Sequence, residues 1–140
     1  MKRFLAVTIV GILILGASAF AAVNWEQNYD AGLDKARKDK KLVMVDMYTD
    51  WCGWCKKIDR DTYGNKDVAD KLAKDFIAVK LNPEKSPQGA KLAKQFGTTG
   101  YPHIVFLSAD GTKVSEISGY LPPDRFLKEL ERVSEKATKK

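Results

Sequence analysis

The sequence predicts an α/β domain: a small mixed β-sheet with helices on both faces. Three observations predict it. Apolar, β-branched runs at Lys41–Tyr48, Phe76–Leu81 and His103–Leu107 alternate with stretches of helical periodicity, the pattern of a strand–helix–strand unit with parallel strands. Asp110-Gly111, followed by Lys113–Ile117, adds an antiparallel hairpin. A last segment from Pro122 or Pro123 to about Lys136 places Phe126, Leu127, Leu130 and Val133 on one helical face and closes the domain.

The chain begins with Lys2 and Arg3, then an almost wholly apolar run from Phe4 to Leu15, then Ala17-Ser18-Ala19 and Ala19-Phe20-Ala21. A basic start, an apolar run and small-x-small patterns predict a secretory signal peptide over residues 1–22, cut near Ala21 or Ala22. The alternative is an uncleaved membrane anchor, since Phe4 to Val23 is long enough to span a bilayer. Either places residues 23–140 in an oxidising, non-cytosolic space, a bacterial periplasm or the exterior. In 140 residues with 44% apolar content there is room for one domain with its own core. The net charge is +6, and acidic residues interleave with the lysines. With no aromatic-plus-basic array, the charge reads as solvated helix faces, and no nucleic-acid partner is expected. No long heptad or apolar surface strip points to an obligate dimer, so a monomer is expected.

Within the domain, Trp25–Asn28 is a lead-in, the start of an N-terminal helical/strand extension to the sheet. Tyr29–Asp39 is a helix with Leu33 and Ala36 inward, weakened by Gly32. Lys41–Tyr48 is apolar enough for a central strand. Cys52 to about Thr62 is helical, Tyr63-Gly64-Asn65 breaks it, and Asp67–Asp75 is helical again. Phe76–Leu81 is the second strand, ended by Asn82-Pro83-Glu84. Ser86 caps a helix with Pro87 at its first position, and Gly97 stops it after Phe96. His103–Leu107 is the third strand.

The chemistry lies where the first strand gives way to a helix, at Trp51-Cys52-Gly53-Trp54-Cys55-Lys56, which holds the only two cysteines. A helix N-terminus offers unpaired N–H groups and a partial positive charge, which favour a thiolate, and the thiolate is the nucleophile. Cys52 stands at the helix mouth and Cys55 one turn inside, near enough to close a disulfide. So short a loop restrains little chain entropy, so the pair reads as reactive rather than stabilising. One CxxC and the single His103 cannot supply a four-ligand metal site, so no metal is expected. Asp46, six residues before Cys52 in an apolar strand, is costly to bury without a task or a partner.

A CxxC at such a junction in such a pattern is a thioredoxin-like signal, and from Tyr29 to Ala137 the chain resembles the thioredoxin superfamily. Val43-Met44-Val45-Asp46 and Asp50-Trp51-Cys52-Gly53-Trp54-Cys55-Lys56 resemble its central strand, buried acid and active site. Ala78-Val79-Lys80-Leu81-Asn82 resembles the next central strand. Phe96-Gly97-Thr98-Thr99-Gly100-Tyr101-Pro102 resembles the approach to its cis-proline loop, and Gly119-Tyr120 the approach to the last helix. Trp54 stands in place of thioredoxin's proline, Tyr101 precedes the cis-proline position, His103 follows it, and Tyr63–Asp75 is a helix-rich insertion. These departures resemble secreted members, such as the C-terminal domain of the membrane thiol:disulfide interchange reductase.

The resemblance implies a thioredoxin fold and dithiol–disulfide exchange with no cofactor beyond the Cys52–Cys55 pair. Cys52 attacks and Cys55 resolves; Cys55 is expected to be the more buried and to have the higher pKa. In the family a matching acid helps deprotonate the second cysteine through water, the role implied for Asp46, whose pKa burial would raise. Lys80 matches the lysine beside that acid; its alternative is a plain structural ion pair. Pro102 is expected to follow a cis bond that frees the Tyr101 backbone for an extended substrate. Trp51, Gly53 and Trp54 surround Cys52, with Trp54 the better candidate for contact and sheet packing the alternative for Trp51. His103 either tunes the Cys52 thiolate or is satisfied by hydrogen bonds. The expected function is reduction of disulfides in secreted proteins, with electrons from a membrane-bound reductase. The alternatives are a disulfide oxidase or isomerase, and a non-catalytic binding module.

Overall fold

A computed structural model describes residues 22–139. The leader expected over residues 1–22 lies outside them apart from Ala22. Among the described residues no helix is long and apolar enough to cross a membrane.

Five strands form one sheet in the order β1-β3-β2-β4-β5, with β1 Trp25–Glu26, β2 Leu42–Met47, β3 Phe76–Leu81, β4 His103–Leu107 and β5 Lys113–Ser118. β1 and β2 both run parallel to β3, whereas β4 is antiparallel to β2 and to β5. The helices are α1 Tyr29–Asp39, α2 Gly53–Asp61, α3 Lys66–Asp75, α4 Pro87–Gln95 and α5 Pro123–Thr138. This is the mixed sheet with helices on both faces that the sequence predicts. The lead-in at Trp25 is more than that, because Trp25 pairs with Ala78 and Glu26 with Val79, adding an edge strand.

Strand alternation sorts the core into two halves. Met44, Phe76, Ala78, Ile104 and Phe106 meet Ile58 of α2, Val68 and Leu72 of α3, and Phe126, Leu130 and Val133 of α5. Val43, Val45, Met47, Ile77, Val79, Val105 and Leu107 meet Tyr29, Leu33 and Ala36 of α1 and Leu92 and Ala93 of α4. Gly32, read from sequence as a weak point in α1, is where that helix approaches β3: a Cβ there would stand 2.5 Å from Val79 Cγ2.

Helix starts follow their caps. Asn28 Oδ1 accepts from the Ala31 N–H, Asn65 Oδ1 from Asp67 and Val68, and Ser86 Oγ from Gly89, each satisfying N–H groups the helix cannot. The Thr62 hydroxyl donates to Leu121 O at 2.6 Å, tying the end of α2 to the turn before α5. The far end of the β2–α2 unit is thereby held, and its junction is where the cysteines sit.

Candidate active site

β2 ends at Met47, Tyr48 N–H donates to Leu81 O, and the chain turns so that Cys52 N–H donates to Thr49 O at 3.3 Å. Cys52 is the N-cap of α2: its backbone is extended and its Sγ accepts from the Cys55 N–H at 3.1 Å. The thiol sulfur therefore does the work a serine or aspartate oxygen does at other helix starts. Cys52 and Cys55 are joined as a disulfide with Cα atoms 5.2 Å apart. Cys55 is 2% exposed and Cys52 5%, so Cys55 is the more buried by a small margin, and position in the helix separates the two more than exposure does. Gly53 is exposed, with open space where a Cβ would stand.

Two tryptophans flank the disulfide, and both are exposed: Trp51 67% and Trp54 59%. Trp51 does not pack down on the sheet. Its indole N–H donates to Glu84 Oε1 at 2.9 Å, and its ring meets Tyr101 edge-on at 6.0 Å. Trp54 lies against Tyr120 at 5.7 Å, and Lys57 Nζ stands 5.2 Å over the same Tyr120 ring. The sequence named Tyr120 only in the approach to the last helix, not as a site residue. The Tyr101–Pro102 peptide bond is cis, and Gly119 N–H donates to Pro102 O at 2.8 Å. The loop carrying Tyr101 thus meets the cysteine turn through Trp51, and the turn carrying Tyr120 meets it through Trp54.

Asp46 is fully buried. It pairs in register with Lys80 across the parallel β2–β3 ladder, so both side chains lie on the α2 side of the sheet. Lys80 Nζ donates to Asp46 Oδ2 at 3.0 Å and to Asp59 Oδ1 of α2 at 2.5 Å. Three rings enclose the same ammonium: Trp25 at 4.6 Å, Tyr48 at 5.0 Å and Tyr63 at 5.3 Å, a cation–π arrangement. Burial pushes the Asp46 carboxyl above its ordinary range, and the Lys80 charge and hydrogen bond oppose this without cancelling it. Burial works against the charge on Lys80, yet Asp46 and Asp59 outweigh it and raise its pKa. Lys80 is accordingly a fixed positive charge. Burial and the neighbouring Asp46 and Asp59 push the Tyr63 hydroxyl well above its usual range. Asp46 Oδ1, Thr49 Oγ1 and Tyr63 OH are buried and make no hydrogen bond among the described residues. Neither Asp59 nor the three rings were legible as site residues; only the resemblance joined Lys80 to Asp46.

His103 is not brought to the cysteines. It pairs with Met47 across β2–β4 and so lies on the α1 and α4 side, opposite Asp46. Nδ1 is 2.8 Å from Thr98 Oγ1, and Nε2 is 3.0 Å from Glu116 Oε2. Of the two expectations for His103, tuning of the Cys52 thiolate or satisfaction by hydrogen bonds, the second describes the contacts its ring makes. Among the described residues no cluster of three or more His, Cys, Asp or Glu is placed to hold a metal.

Residues 29–134 match the model of the thioredoxin-like domain family. Among curated proteins, the thiol:disulfide interchange protein DsbD of Vibrio cholerae is 34% identical over 103 residues, 71% of this chain. That of Klebsiella pneumoniae is 32% identical over 111 residues, 77% of this chain. The chain covers only 17% and 18% of those two proteins. Among solved structures, a thioredoxin from Thermus thermophilus superposes with a TM-score of 0.73 at 26% identity, over 81% of this chain and 88% of that one. The oxidised C-terminal domain of Neisseria meningitidis DsbD gives 0.63 at 25% identity, over 74% and 90%. The sheet, the helices on both faces and the CxxC turn are those of the thioredoxin fold, and the chain belongs to the thioredoxin-like domain family.

Proposed function

We propose that this chain is a thiol:disulfide oxidoreductase of the periplasm that reduces disulfides in secreted proteins and receives its electrons from a membrane-bound dithiol reductase. One observation carries the reading. The Cys52–Cys55 disulfide spans the first turn of α2 between two exposed tryptophans, and the strand leading into it holds a fully buried carboxylate. Neither an inert staple nor a binding module needs that carboxylate, which burial makes costly.

In the reduced protein the Cys52 thiolate, favoured by the Cys55 N–H and the start of α2, attacks one sulfur of a substrate disulfide. The substrate S–S bond breaks, its departing sulfur takes a proton, and a Cys52–substrate disulfide forms. Cys55 then loses its proton, and Asp46 Oδ1, the carboxylate oxygen Lys80 leaves free, is the acceptor. The Cys55 thiolate attacks Cys52 Sγ and releases the second substrate thiol. The substrate gains two electrons and two protons, and the Cys52–Cys55 disulfide is regenerated for the membrane donor to reduce. Trp51, Trp54, Tyr101 and Tyr120 are the apolar surface on which the substrate chain rests, and the backbone of Tyr101 before Pro102 pairs with it as an added strand.

The test is a trap. Cys55→Ser leaves the attacking thiol and removes the resolving one, so mixed disulfides through Cys52 should accumulate on secreted proteins and separate on non-reducing gels. If Cys55→Ser captures no more protein than Cys52→Ser does, the reading fails.

A further inference from the structure

The loop from Gly97 to Pro102 carries Tyr101 into the site with little backbone to hold it. At one end Gly97 N–H donates to Lys94 O and Thr98 N–H to Ala93 O; at the other, Gly119 N–H donates to Pro102 O. Between them lie Thr99, Gly100 and Tyr101, and a cavity of about 250 Å³ lined by Gly97, Thr99, Tyr101, Pro102, His103 and Ser118, among others, opens at the loop. A span with glycine at both Gly97 and Gly100 has few intrinsic constraints, so a side chain has to supply them.

His103 supplies them. His103 is 5% exposed. It reaches back five residues to Thr98 Oγ1 at 2.8 Å and across to Glu116 Oε2 of β5 at 3.0 Å. A carboxylate only accepts, so Nε2 bears a proton and donates to Glu116, while Nδ1 shares a hydrogen bond with the Thr98 hydroxyl. Hydrogen bonds from Lys113, 2.7 Å away, and from His103 hold the Glu116 carboxyl below its usual range, so it stays an acceptor at neutral pH. The chain Thr98–His103–Glu116–Lys113 lies on the face of the sheet away from Asp46 and Lys80, and the exchange steps use none of it. What it touches is the loop whose Tyr101 ring packs on Trp51.

We propose that His103 is a positioning residue for substrate recognition: it clamps Thr98 to Glu116 and thereby holds Tyr101 in place for an extended polypeptide bearing the disulfide, rather than for a small disulfide. This rests on the reading of the site as a protein-disulfide reductase.

Replacing His103 itself risks the fold, so the test acts on its partners. Steady-state reduction of insulin and of cystine is compared for the full chain, Thr98→Val, Thr98→Ser, Glu116→Ala and Glu116→Gln. Thr98→Val keeps the shape and removes the hydroxyl, and Glu116→Ala removes the acceptor. Each should raise KM for insulin about 3- to 10-fold, the worth of one hydrogen bond, with kcat, the rate on cystine and the reduction potential unchanged. Thr98→Ser and Glu116→Gln, which keep a hydroxyl and an acceptor, should restore the insulin KM. An unchanged insulin KM in Thr98→Val, or an equal loss on insulin and cystine, overturns the proposal. A wild-type chain that reduces cystine and not insulin overturns the underlying reading instead, whatever the variants do.

Discussion

Cys52→Ser is expected to bring insulin reduction down to the uncatalysed background, a loss on the order of 10⁴-fold or more, as for other covalent nucleophiles. A serine hydroxyl is un-ionised near neutral pH, whereas a thiol at a helix start is partly thiolate, the only form that attacks a disulfide. Cys55 cannot take over. It sits inside the first turn of α2 at 2% exposure, and its own N–H points to the Cys52 sulfur. Trp51 and Trp54 are exposed on either side of the pair, and the N-cap sulfur belongs to the less buried of the two cysteines. The substitution should cost little stability, because a serine oxygen caps a helix at least as well as sulfur. Insulin turnover and urea unfolding of the same preparation separate the two effects. Residual turnover above background in Cys52→Ser would make Cys55 the nucleophile and reverse the assigned order.

Asp46→Asn is expected to slow exchange by about 100-fold at neutral pH, the lower end of what a positioned general base contributes, while making the fold more stable. The stability gain follows from linkage. Burial raises the Asp46 carboxyl above the ordinary carboxylate range in the folded chain, with Lys80 opposing only in part. Between the unfolded and the raised folded pKa, the folded protein holds a proton that the unfolded chain has released. Stability therefore falls as pH rises through that window. Asparagine carries no such proton and escapes the loss, so the advantage of Asp46→Asn should be absent at acid pH, grow through the window and then level off. Lys80 is not stranded by the change, because Asp59 still accepts from it at 2.5 Å and three rings still enclose it. Urea midpoints across pH measure this directly. An Asn variant less stable than wild type at neutral pH would mean that the Lys80–Asp46 pair outweighs the burial of the charge.

Much of this was legible from residues alone. The strands announce themselves by apolar, β-branched runs, and α1 and β3 begin and end at the residues expected. Ser86 and Pro87 mark a helix start because capping is local chemistry, whereas Asn65, read only as part of a helix break, turns out to cap α3. The edge strand at Trp25–Glu26 was legible only as an N-terminal helical/strand extension without bounds, since two residues carry no period; its pairing depends on β3 being beside it. The same reason hides the cage on Lys80. Trp25, Tyr48 and Tyr63 come from an edge strand, a strand end and a helix–helix turn, and only the packed sheet brings them to one ammonium. Asp59 lies one turn beyond Cys55 on α2, a spacing the sequence displays but does not single out. His103 was read as an either-or; its two ring hydrogen bonds and strand parity, which puts it opposite Met47 and away from Asp46, could be seen only in the packed sheet. Tyr120 was read as part of the approach to the last helix and not as a site residue, because a lone aromatic there is ordinary until Trp54 is found against it.

The central claim is that the Cys52–Cys55 pair gives electrons to substrates. Its most direct test is the equilibrium reduction potential of that pair in the full chain, measured against glutathione. A dithiol donor should lie near thioredoxin, at about −270 mV. A value near about −120 mV, the range of a strong disulfide donor, would contradict the account and reverse the direction of the proposed reaction.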